Sequence, residues 1–296
     1  MKLKDIKDVL SFRAFRPEPD DSSAPWSRRF TRESSLALNI GRRRVSWTAF
    51  DKRGEFRDAG SLDGDLKDIL AQMGPEWRSL TDNGWCSVSL NNRFVITLEV
   101  NLSRRAGLEQ QLRTNPKSVL GAKAERGKRY SLLHNPESNT SVLLCCDEEA
   151  VNKTAAMLKE AGLMAGRICV GVYGMMIDLI EQVSEARRAR ALSAPGEPFG
   201  SVVMVACNEG SVCALSQREE QWTELRSRTD LYTGDMTPVL DIILPLIQNA
   251  GPNTNVVFMN DEAGCALPEL LRQRIPGAIV SEVTVPNQLW KLLTDS

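Results

Sequence analysis

Apolar and polar residues alternate with period two from Ser35 onward. Leu36, Leu38 and Ile40 share one face, Gly41-Arg42-Arg43-Arg44 turns the chain, and Val45, Trp47 and Ala49 alternate again. Period two on both sides of a glycine-containing turn predicts a β-hairpin, with residues 54–60 returning as a third strand. The spacing then changes to that of a helix over 65–73, where Leu66, Ile69, Leu70 and Met73 fall on one face. Residues 85–90 and 94–100 predict a second hairpin around Asn91-Asn92. Residues 104–113 read as helical, and 117–129, basic and containing Gly121 and Gly127, as a solvated loop.

An alternation of strands and helices follows. Residues 141–146 predict a short apolar strand, and Asp147 with Glu148-Glu149 suits a helix start, where the backbone dipole is positive. Gly162 is placed to end that helix. A strand over 167–172 and a helix over 175–190 come next, the latter with Arg187, Arg188 and Arg190 late, as the dipole favours. Ala194-Pro195-Gly196-Glu197-Pro198 marks the clearest internal boundary. Beyond it a hairpin turns at Asn208-Glu209-Gly210, and residues 221–228 supply a third strand. A helix is expected over 236–250, kinked or split by Pro245. A strand over 255–259, a helix over 263–274 and a final strand over 278–285 complete the pattern. Hairpin, third strand and helix thus occur twice, after residue 35 and after residue 201. Residues 1–34, with Pro17, Pro19 and Pro25, read as an arm and linker.

Composition narrows the function classes. With 42% hydrophobic and 25% charged residues over 296 positions, the chain is an ordinary globular protein, expected to be cytoplasmic. No apolar run approaches the roughly 18 residues of a membrane span. Seven cysteines without regular spacing suit a reducing compartment. The first 146 residues carry 25 basic against 18 acidic side chains, the remainder 12 against 20. No phosphate-loop, dinucleotide-binding or nucleophile-elbow motif is present. The single histidine, His134, falls in a polar stretch read as surface, and Cys145, Cys146, Cys169, Cys207 and Cys213 fall on strands, where packing is the expected role.

The duplicated order resembles the actin-like superfamily. More narrowly, residues 141–183, SVLLCCDEEAVNKTAAMLKEAGLMAGRICVGVYGMMIDLIEQV, with the helix ending Ala161-Gly162-Leu163, resemble the inserted subdomain of the type IV pilus assembly protein PilM. The cytoplasmic region of the secretion protein GspL is an equal candidate. The resemblance implies an α/β fold of two actin-like (RNase H-like) lobes with an inserted αβ subdomain. The lobes would be 35–193, including the subdomain at about 101–190, and 199–296.

Actin-like ATPases carry an Asp-x-Gly turn in each lobe, for hydrated magnesium and phosphate, and a Gly-Gly turn beside the adenosine. Here Asn39 stands at the first acidic position, followed by Gly41. The second turn, with Asn208 and Gly210, lacks the motif, and Asn260-Asp261 replaces Gly-Gly. The resemblance therefore implies a degenerate nucleotide cleft, no catalytic residues, no metal and no required cofactor, with weak ATP or ADP binding left open.

The function expected from it is that of a non-catalytic scaffold in a pilus or secretion machine. It would sit at the inner face of the cell membrane through a PilN-type membrane-anchored partner, with a pilus or secretion ATPase as a second partner and homo-oligomerisation left open. Lys123, Arg126, Lys128 and Arg129 are the expected partner-binding residues. The rival readings are an active actin-like ATPase or sugar-kinase-like enzyme, and a nucleic-acid-binding protein using Arg42 to Arg44, Arg104-Arg105 and the 123–129 segment. Nucleic acid is not the expected partner.

Overall fold

A computed structural model describes residues 35–41, 43–51, 53, 55–81, 84–90, 96–193, 200–208, 210–229, 237–251, 254–260 and 266–284. The expected arm at 1–34 and the boundary at 194–198 lie outside them.

In chain order the strands are β1 (Ser35–Ile40), β2 (Arg44–Phe50), β3 (Phe56–Asp63), β4 (Trp85–Leu90), β5 (Ile96–Ser103), β6 (Lys128–His134), β7 (Thr140–Asp147), β8 (Met164–Val170), β9 (Val202–Asn208), β10 (Ser211–Arg218), β11 (Gln221–Arg228), β12 (Asn255–Asn260) and β13 (Ile279–Thr284). The helices are α1 (Leu66–Leu80), α2 (Leu108–Thr114), α3 (Pro116–Leu120), α4 (Glu148–Glu160), α5 (Gly171–Ser193), α6 (Thr237–Ala250) and α7 (Leu267–Arg274), with a 3-10 turn at Gly121–Lys123. Two compact units divide the chain. Among the described residues, the first holds 35–90 and 149–169, the second 96–148 and 170–284.

The first unit is built on a sheet ordered β3-β2-β1-β4-β8. β1 runs antiparallel to β2 and parallel to β4. The period-two pattern sorts its two faces. Leu36, Leu38 and Ile40 align with Ala49, Trp47 and Val45 on one side and with Cys86, Val88 and Leu90 on the other. Helix α1 covers this apolar face with buried Ile69, Leu70, Met73 and Trp77. The rings of Trp47 and Trp77 lie 5.4 Å apart at 60°. α1 runs past Gly74 and Pro75 to Leu80 because Trp77 continues its buried stripe beyond the expected end at Met73. Helix α4 buries Val151, Thr154 and Leu158 and ends where expected. Gly162 adopts φ 79°, which a side chain would oppose, and the amide of Leu163 donates to the carbonyl of Leu158 at 2.9 Å.

The second unit holds two sheets. One is ordered β11-β10-β9-β12-β13, the same third-second-first-fourth-fifth order as in the first unit. β9 runs antiparallel to β10 and parallel to β12. One face, with Val203, Val205, Val212, Ala214, Val256 and Phe258, packs on α6 and α7. The other face, with Met204, Ala206, Cys213 and Leu215, packs on α5 through Met175, Met176, Leu179 and Ile180. The remaining sheet is three-stranded, ordered β5-β7-β6. Leu133, Val142 and Leu144 join the α5 core. Tyr130, Leu132, Leu143 and Cys145 form its opposite face and pack on Leu108, Leu112 and Leu120 of α2 and α3.

Several expectations are corrected. β4 and β5 do not form a hairpin: both edges of β4 are occupied, by β1 and β8, and β5 pairs with β7. The 117–129 segment is not a loop but carries α3, the 3-10 turn and the start of β6, whose Lys128 and Arg129 are neutralised by Asp147 and Glu148. β8 begins at Met164, and its place is in the first five-stranded sheet, while α5 packs on the second. Residues 149–169, which carry most of α4 and β8, belong to the first compact unit. Pro245 does not split α6, because Ile243, Leu246 and Ile247 on both sides of it stay anchored in the core. Arg187 does not serve the helix dipole: it is buried and ion-paired. No helix among the described residues is long and apolar enough to cross a membrane.

Candidate functional site

The strand ends singled out in the sequence are set by the two five-stranded sheets. In the first unit, Asn39 lies on the face of β1 turned away from α1, aligned with Ser46 of β2 and Ser89 of β4. With Thr48 these make a small polar patch in which Asn39, Thr48 and Ser89 are buried and Ser46 is half-buried, Asn39 being 2% exposed. Gly41 follows, buried, its amide donating to the carbonyl of Arg44 at 2.9 Å. Arg44 is not poised to hold an anion, because its Nε donates to Asp63 at 2.8 Å. That guanidinium hydrogen bond keeps the Asp63 carboxyl below its usual value.

In the second unit, Asn208 ends β9, is also 2% exposed and aligns with buried Ser211 across the turn. Gly210 takes a positive φ of 75°, as a two-residue hairpin turn favours. Asn260 ends β12 and aligns with Cys207, next to Asn208. Asp261 lies outside the described residues. The structure thus brings Asn208 and Asn260 to adjoining strand ends. Neither Asn39 nor Asn208 can supply the negative charge that draws a hydrated divalent cation. Among the described residues no group of three His, Cys, Asp or Glu side chains could hold a metal ion.

The four expected partner-binding residues lie at one end of β6 and just before it, in two different states. Lys128 donates to Asp147 Oδ1 at 2.7 Å, and Arg129 Nε lies 3.6 Å from Glu148 Oε1. Both are partly buried, and the hydrogen bond that Lys128 donates to Asp147 holds its ammonium above its usual pKa. Lys123 and Arg126 are exposed. The pairing spends Lys128 and Arg129 on closing the β6–β7 edge.

A neighbouring cavity of about 530 Å³ is lined by Arg104, Arg105 and Arg113, with Leu108 and Leu132 as apolar wall and Glu109 and His134 beside them. Arg105 Nη2 donates to Gln111 Oε1 at 3.1 Å. His134 is not a free surface histidine. Its Nδ1 lies 2.8 Å from Ser141 Oγ and its Nε2 2.5 Å from Glu109 Oε1. The set has the composition of a nucleophilic triad, but Ser141 is 0% exposed, so no substrate carbonyl reaches it. It ties α2 to the β6–β7 pair. The sequence offers Arg104-Arg105 only to nucleic acid and gives Arg113 no role. The signal available was its position one helix on from that pair.

No protein-family model matches the chain, and no curated protein matches it in sequence. Solved structures do. A Bacteroides thetaiotaomicron protein described as having an actin-like ATPase fold and unknown function aligns over 85% of this chain and 91% of its own, with a TM-score of 0.51 at 10% identity. The fold is actin-like. A PilM–PilN type IV pilus biogenesis complex aligns over 88% of this chain and 90% of the matched one, with a TM-score of 0.51 at 14% identity. The cytoplasmic domain of Vibrio cholerae EpsL, an inner-membrane component of the type II secretion system, aligns over 88% and 93% with a TM-score of 0.49 at 12% identity.

Proposed function

We propose that this chain is a non-catalytic assembly-platform subunit of an envelope machine of the type IV pilus or type II secretion kind. In this reading it binds the cytoplasmic segment of a membrane-anchored protein of PilN type. The observation that supports it is Asn39, buried where an actin-like ATPase carries Asp, together with buried Asn208 in a second turn that lacks Asp-x-Gly. A fold kept while its metal-facing charges are lost is what an adaptor requires. The actin-like fold shared with a PilM–PilN complex supports this choice of machine. β6, an edge strand of the three-stranded sheet, suits an extended partner segment that adds to the sheet through backbone hydrogen bonds.

The test joins binding to turnover. The protein is incubated with synthetic cytoplasmic segments of the membrane proteins encoded beside its gene, and hydrogen exchange is followed. Protection of β5, β6 and β7 with one such segment, and no Mg-ATP turnover above background, is the expected result. Turnover that disappears on substituting Asp261 or Glu262 would overturn the non-catalytic reading. Protection confined to residues 202–284 would overturn the partner site.

A further inference from the structure

The helical layer over the three-stranded sheet carries a charge pattern of which only Lys123 and Arg126 belong to the expected partner-binding set. From Arg104 to Arg126 six side chains are basic, namely Arg104, Arg105, Arg113, Lys117, Lys123 and Arg126, and two, Glu109 and Glu125, are acidic. All six basic residues are exposed. Leu108, Leu112 and Leu120 turn the inward sides of α2 and α3 onto one face of the sheet, so the outward sides of this layer look away from it together. The cavity of about 530 Å³ lies in this layer, with three arginines around an apolar wall of Leu108 and Leu132. The one carboxylate in its lining, Glu109, is engaged by His134 at 2.5 Å.

We infer that this cavity takes the phosphate headgroup of an anionic phospholipid, with the surrounding basic layer lying on the bilayer surface. Guanidinium groups match a phosphate in charge and in hydrogen-bond geometry. The leucine wall suits the glycerol portion behind it. Lys117, Lys123 and Arg126 add the longer-range attraction that a negative leaflet exerts on a basic face. Adhesion of this kind is peripheral and reversible by salt. The exposed large apolar side chains among the described residues are Phe56, Met164, Leu192 and Ile279, and none belongs to this layer to insert into the bilayer. A nucleic acid fits less well: residues 95–129 contain no aromatic side chain to stack on a base, and the arginines converge on one cavity rather than on a track. The inference stands apart from the partner reading, since it needs no second protein.

Sedimentation of the full chain with vesicles tests it. Phosphatidylcholine vesicles containing about one-third phosphatidylglycerol should carry the protein down, pure phosphatidylcholine vesicles should not, and about 0.5 M salt should release it. Reversing Arg104, Arg105 and Arg113 together to glutamate should lower partitioning by about tenfold or more, whereas reversing the exposed Lys153 and Lys159 of α4 should leave it unchanged. Equal sedimentation with neutral and anionic vesicles, or full binding by the triple variant, would overturn the inference. Tight binding of glycerol 3-phosphate without vesicle partitioning would assign the cavity to a soluble phosphate ester instead. Stronger retention on duplex DNA at the same salt would also overturn it. The lipid and salt comparisons on the unaltered protein decide the question even if the triple variant folds poorly.

Discussion

Arg187 of α5 and Glu137 of the β6–β7 turn form an ion pair at 2.8 Å, with their side chains only 8% and 11% exposed. Gln217 donates to the same Glu137 oxygen, and Arg187 also donates to the carbonyl of Glu219 and, at 3.3 Å, to that of Gly200. Asn135 Nδ2 donates to the Glu220 carbonyl at 2.9 Å. Three elements far apart in sequence thus share one small polar junction. Removing one charge leaves the other buried and unpaired, so Arg187→Ala should cost about 3–5 kcal/mol in urea unfolding. Replacing both charges, Arg187→Met with Glu137→Leu, should cost less than the single change. A single-variant loss below about 1 kcal/mol would contradict the coupling.

Gly60 on β3 faces the Trp47 ring. A methyl group there would sit 2.5 Å from Cζ2 and 2.6 Å from Cη2 of Trp47. Gly60→Ala should therefore destabilise the first unit by about 1–3 kcal/mol and alter tryptophan emission through the Trp47–Trp77 contact. Gly277→Ala, where nothing lies within 4 Å, should stay within about 0.5 kcal/mol of the parent.

The Lys128–Asp147 hydrogen bond raises the lysine pKa above 10.5. A cation with a raised folded-state pKa contributes stability that is complete below the unfolded value and is lost as pH rises through the folded one. Urea midpoints of the parent should fall from pH 10 upward more steeply than those of Lys128→Met. Parallel curves would show that the bond contributes nothing.

Burial pushes the Cys86 thiol up to about 12 and raises that of Cys213 as well. Cys146 and Cys207 are half-buried. Iodoacetamide at pH 8 should alkylate Cys146 and Cys207 well before Cys86, Cys145 and Cys213, as read by peptide mass spectrometry. Early labelling of Cys86 or Cys213 would show that their cores open locally.

The parts of the fold visible in the sequence are those whose side chains report a periodic environment. Leu36, Leu38 and Ile40 face a helix, and their alternation says so; the same holds for the stripe of Val239, Ile243, Leu246 and Ile247. β6 was hidden because it opens with Lys128 and Arg129, whose partners, Asp147 and Glu148, come from across the sheet and the helix after it. Arg187 looked like an end-of-helix cation because nothing local marks a partner fifty positions away. Asn39 stands out in the sequence only through the resemblance to an acidic motif, and the burial of Asn39 and Asn208 builds both into their sheets. The arginine cavity depends on α2 folding back over β6, which no local pattern encodes.

The first sheet also dictates an order of synthesis. β4 receives its second neighbour only when β8 emerges, after the whole of 96–148 has been made. On the ribosome, β4 must wait with a bare hydrogen-bonding edge while the three-stranded sheet folds first. Chains truncated between residues 90 and 164 should therefore be sticky, and a translation pause placed in that window should raise the demand for chaperones.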